Sequence, residues 1–137
     1  MSTRRDAREW AVQMLFRLEM NPCDNEKLFE EFFEERDAGK KGRDFAEGLI
    51  KGVRDNRKEI DALIVKYAKN WDIDRMAITD RNVIRIALYE FLHLDDIPPA
   101  VTINEAVDIA KYFNKTESGR FVNGILDSIR KDLEKKG

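Results

Sequence analysis

Apolar residues return every three or four positions along almost the whole chain, with polar residues on the opposite faces, which is the period of amphipathic helices. Over residues 3–20, Ala7, Ala11, Met14, Leu15 and Leu18 share one face, with Trp10 at its margin. Asn21-Pro22 ends that helix, and Asp24 is placed to cap a second. The second helix carries Leu28, Phe29, Phe32 and Phe33 as a narrow stripe beside an acidic run that reads as a solvated face. Gly39 and Gly42 read as a helix stop and a turn. From 43 to 70 the period stays helical, as two segments or one bent helix. Gly48 and Gly52 lie one turn apart there, on a face that permits close approach of another helix. Trp71 and Ile73 read as core plugs at the corner that follows.

Thr79 is placed to cap the next helix. Its Val83, Ile84, Ile86, Ala87, Leu88 and Phe91 run nearly all the way round, the mark of a central, buried helix. Its polar groups are Asp80, Arg81, Arg85, Tyr89 and Glu90. Further on, Pro98-Pro99 precede Thr102 and Glu105, whose spacing is that of a capping box. Ile103, Ala106, Val107 and Ala110 continue that helix, and Asn114 to Glu117 form a polar break. Ser118 is placed to cap the last helix, with Val122, Ile125, Leu126, Ile129 and Leu133 as its stripe. No segment alternates at period two, and no Asn-Gly or Asp-Gly turn separates apolar runs. The prediction is an all-α fold: one domain over 1–137, with about six or seven helices in two small packed bundles. The bundles span about 1–70 and about 71–137 and meet at the 71–79 corner.

The chain has 38% charged residues, 42% hydrophobic residues and a net charge of -2. That balance suits a globular domain and leaves only local basic patches as candidates for nucleic-acid contact. Two places depart from the core pattern. Arg5, Arg8, Val12 and Phe16 fall on a face roughly a quarter-turn or more from the first helix's core stripe. Arg120 and Phe121 fall outside the stripe of the last helix. Guanidinium groups beside an aromatic ring are a means of holding RNA, by phosphate contact and base stacking. The alternative is that Phe16 widens the core face and the arginines are merely solvated. One cysteine and one histidine leave no zinc set and no disulfide, and no cofactor fingerprint or catalytic constellation appears. No catalysis, no cofactor, no metal, no membrane span and a cytoplasmic location are therefore expected.

Three segments carry a specific resemblance: RRDAREWAVQMLF from Arg4, DRNVIRIALYE from Asp80, and INEAVDIAKYF followed by FVNGILD between Ile103 and Asp127. In order and spacing they resemble the NusB family of bacterial transcription antitermination factors. The resemblance implies two small helical bundles and a non-enzymatic role. In that role the protein pairs with ribosomal protein NusE, and the pair binds boxA RNA and supports read-through by RNA polymerase in an antitermination complex. By position it implies RNA contacts at Arg4, Arg5, Arg8 and Phe16, and at Glu117, Ser118, Arg120 and Phe121. It implies a partner surface in the second bundle that includes Asp80. Asp6 interrupts the arginine run, which implies weaker RNA affinity for the protein alone. A protein-interaction module without RNA, and the NusB-like domain of an RNA methyltransferase, are the other readings. The end of the chain at Gly137 with no nucleotide-binding βαβ pattern favours a free-standing factor.

Overall fold

The computed structural model describes residues 3–21, 25–36, 38–68 and 72–136. Among them are seven α-helices, one 3-10 turn and no strand. The helices are α1 (Arg4–Met20), α2 (Asn25–Glu35), α3 (Lys40–Asp55), α4 (Arg57–Tyr67), α5 (Ile78–His93), α6 (Pro99–Phe113) and α7 (Thr116–Lys136), with the 3-10 turn at Ile73–Arg75. The all-helical prediction holds. Asp24 and Trp71 lie outside the described residues. No helix among the described residues is long and apolar enough to cross a membrane.

Helix α1 starts at a capping box of its own. The Asp6 backbone N–H donates to Thr3 Oγ1 at 3.0 Å, and the Thr3 N–H donates to Asp6 Oδ2 at 3.1 Å. The acidic residue inside the arginine run is thus the reciprocal partner of the Thr3 cap that fixes where the helix begins. The stretch read as two segments or one bent helix is two helices, broken at Asn56, whose side-chain amide donates to the Gly52 carbonyl at 2.8 Å. Gly42 lies buried inside α3 rather than in a turn, because the helix already begins at Lys40.

The central helix is α5. It packs against α1, α3 and α4 and also against α6 and α7, and it buries Val83 through Leu88 without a gap. The buried apolar side chains form one continuous cluster that includes Ala7, Met14, Phe33, Ile50, Ile64, Leu88, Ile109 and Leu126. From α2, Phe32 and Phe33 enter that cluster, with Phe33 edge-on to Trp10. Gly52 explains how closely α3 approaches α5: a Cβ built there would stand 2.2 Å from Cζ of Tyr89. Gly48 has open space around it, so only one of the two glycines serves the close contact.

Three predicted caps are corrected, and for one reason. Helix α5 begins at Ile78, α6 at Pro99 and α7 at Thr116, so Thr79, Thr102 and Ser118 all lie inside their helices. Pro99 needs no side-chain cap to start α6, since its ring presets the helical φ and it has no N–H to satisfy. The three hydroxyls bond to other elements instead. Thr79 accepts from Asn114 at 2.9 Å, Thr102 donates to Glu90 at 2.9 Å, and Ser118 donates to Asp80 at 3.0 Å.

Candidate nucleic-acid interface

The start of α1 is held down by carboxylates from α5 and α6. Arg8 donates through Nε and Nη2 to the two oxygens of Glu90, at 2.8 Å each, and through Nη1 to Glu105 Oε1 at 3.2 Å. Thr102 supplies a further donor to Glu90, so the buried charge pair is also hydrogen-bonded. This corrects the expectation that Arg8 and Val12 stand off the core. Arg8 is 4% exposed and Val12 is 1% exposed, because α1 packs against both α3 and α5 and its buried face is wider than one stripe.

Arg5 is half-buried. Its guanidinium pairs with Glu105, and Nη2 lies 3.1 Å from Asp108 Oδ2. The Glu105 hydrogen bond, reinforced by the charges of Glu105 and Asp108, holds Arg5 above its ordinary pKa against the opposing effect of burial. Arg4 is exposed, 3.6 Å from Asp96 and over the ring of Phe45. Phe16 is 38% exposed, which agrees with its position off the stripe.

The second half of the predicted site surrounds the start of α7, where Asp80 is the organising group. It is buried, with 7% exposure. Its Oδ1 accepts from Asn114 Nδ2 at 2.9 Å and its Oδ2 from Ser118 Oγ at 3.0 Å. The α6–α7 turn is thereby fastened to the first turn of α5. Above Asp80 is a cleft of about 230 Å³ between Arg75 and Met76 on one wall and Glu117, Ser118 and Phe121 on the other. Asp80, nominated for a partner, and three residues nominated for RNA therefore share one cleft. A partner reaching Asp80 would meet the cleft rather than a free carboxylate. Phe121 is half-buried, packed against the core cluster while lining this cleft.

Arg120 faces the other way, into an open groove between α6 and α7 that also contains Asp108 and Lys111. Residues 120 and 121 are about 100° apart on a helix, so α7 presents the two to different surfaces. Arg5 pairs with Glu105 and Asp108, while Val12 shares a small cavity with Ala106 and Ile109.

Glu90, Glu105 and Asp108 as partners of the α1 arginines, and Lys111 in the groove, are absent from the sequence-derived site. No local spacing signals them, because the Arg8–Glu90 pair joins residues 82 positions apart.

Open grooves lined by cations, amides and a half-buried aromatic, on a helical frame with a continuous core, are the features of an α-helical protein that meets a macromolecule over its surface. The NusB family model matches residues 5–131, and this chain belongs to the NusB family. Transcription antitermination protein NusB of Geobacter sulfurreducens is 44% identical over 100% of both chains. The T. maritima NusB structure is 43% identical with a TM-score of 0.86, covering 96% of this chain and 93% of that one. A chain from the crystal structure of antitermination factors NusB and NusE in complex with dsRNA is 30% identical with a TM-score of 0.85. That likeness covers 94% of this chain and 96% of that chain.

Proposed function

We propose that the protein is a cytoplasmic transcription antitermination factor. It pairs with ribosomal protein NusE, and the heterodimer binds the boxA element of nascent ribosomal transcripts. Within the antitermination complex it supports read-through by RNA polymerase, without catalysing a reaction itself. The observation that carries this reading is the likeness, over 94% of this chain, to a chain of the NusB–NusE complex with dsRNA.

In this reading Arg4, Arg5 and Phe16 contribute from α1, and Glu117, Ser118, Arg120 and Phe121 from the start of α7. Arg8 acts from beneath, as the strut that sets the position of α1. Asp80 acts by shaping the cleft at which RNA-facing and partner-facing residues meet.

A gel shift with boxA RNA and with a scrambled RNA of equal length, each with and without NusE, tests the proposal. Retardation of boxA, strengthened by NusE, is expected. No retardation in any lane overturns the RNA role and leaves a protein-interaction module. Phe121→Leu sharpens the test. Leucine keeps this half-buried position apolar, and thermal unfolding reads its cost to the fold separately, while losing a stacked ring weakens binding by about 1–3 kcal/mol.

A further inference from the structure

The arginines at the start of α1 already face carboxylates: Arg4 meets Asp96, Arg5 meets Glu105 and Asp108, and Arg8 meets Glu90 and Glu105. An RNA phosphate reaching them must compete with those groups. The groove between α6 and α7 is different. It is lined by Asn104, Asp108 and Lys111 from α6 and by Thr116, Arg120 and Asn123 from α7. Lys111 and Arg120 have no carboxylate partner among the described residues. Asp108, an acidic group of this groove, lies 3.1 Å from Arg5, a guanidinium it shares with Glu105. With Lys111 and Arg120 against Asp108, the groove keeps an excess of positive charge, flanked by amide and hydroxyl donors.

Lys111 reaches this position because of Gly119. A Cβ built on Gly119 would stand 2.7 Å from Cε and 2.8 Å from Cγ of Lys111. The methylene stem therefore lies directly on the backbone of α7, and Gly119 is buried beneath it. Glycine is a poor helix former, and here its missing side chain is the space that the lysine stem occupies. A long apolar stem laid on a neighbour with its ammonium kept in water is the usual way a lysine is held in place.

We propose that the α6–α7 groove is a track for the RNA phosphate backbone, in which Lys111, seated on Gly119, is a contact residue alongside Arg120. This inference rests on the RNA-binding reading above and extends it. Arg5 then also serves the track indirectly, by drawing Asp108 into the pair it shares with Glu105. Cations with amide and hydroxyl donors along an open groove suit a phosphate chain, which needs charge and donors but no base-specific edge.

The test is RNA affinity of the full chain in the presence of NusE, by fluorescence anisotropy across a salt series. It uses boxA RNA and a scrambled RNA with the unaltered protein, Lys111→Gln and Gly119→Ala. Gly119→Ala displaces the lysine without removing its charge, so it reports on the seat even if Lys111→Gln perturbs the fold. Loss of one phosphate contact lowers the slope of log affinity against log salt by about 0.7–0.9. The gap between variant and unaltered protein then narrows about threefold from about 50 to about 200 mM salt. Both variants should weaken both RNAs alike. Unchanged affinity and slope in both variants overturns the groove while leaving the RNA-binding reading intact. Failure of the unaltered protein to bind either RNA overturns that reading and the groove with it.

Discussion

The guanidinium of Arg8 and the carboxylate of Glu90 meet in a two-pronged pair, 2.8 Å at each contact, with 4% and 1% of their side chains exposed. The pair ties the first turns of α1 to the last turns of α5. Removing one partner leaves the other charge buried and uncompensated. Glu90→Leu or Arg8→Met alone is expected to cost about 3–5 kcal/mol of folding stability. The double variant should lose less than the sum of the two, since it leaves neither charge buried. Urea unfolding of the four proteins measures this, and additive losses would contradict the pairing.

Gly52 and Gly48 should respond oppositely to the same substitution. At Gly52 a methyl group would enter the Tyr89 ring, and overpacking of this kind costs about 1–3 kcal/mol. At Gly48 the added methyl meets nothing within 4 Å. Gly48→Ala should therefore stabilise the chain by about 0.4–1 kcal/mol through the unfolded state and helix propensity. Thermal unfolding of the two variants tests both signs, and Tyr89→Leu should recover part of the Gly52→Ala loss.

Glu19 predicts a pH dependence. Burial pushes its carboxyl up, but the Arg81 hydrogen bond and the charges of Arg85 and Arg81 outweigh that and hold it below the ordinary glutamate value of 4.5. A group depressed in the folded state contributes stability that is complete above its unfolded value and fades as pH falls through the folded one. The stability difference between the unaltered protein and Glu19→Gln should be constant near neutrality and shrink below about pH 4.5. A constant difference down to pH 3 would show that the arginines do not shift this carboxyl.

The course of the helices was legible because burial writes itself into spacing. A helix apolar nearly all round, such as Val83 to Phe91, has no stable place except the centre. The caps were less legible because a hydroxyl near a helix start has two uses. Thr79, Thr102 and Ser118 fit the local pattern of a cap, yet each bonds to another element. Exposure in the candidate site was legible where it follows from the helical wheel, as at Phe16. It was not legible at Arg8, whose counter-charges come from 82 and 97 residues away. The Lys111–Gly119 contact likewise depends on how α6 crosses α7, which no periodicity encodes.

Ultraviolet cross-linking of boxA RNA to the protein bound to NusE, followed by mapping of the modified peptides, tests the central claim most directly. An RNA face formed by α1 and the start of α7 predicts adducts on the peptides carrying Phe16 and Phe121, because stacked aromatic rings sit closest to the bases. Adducts confined to α2 or α4, under conditions where the RNA is bound, would contradict it.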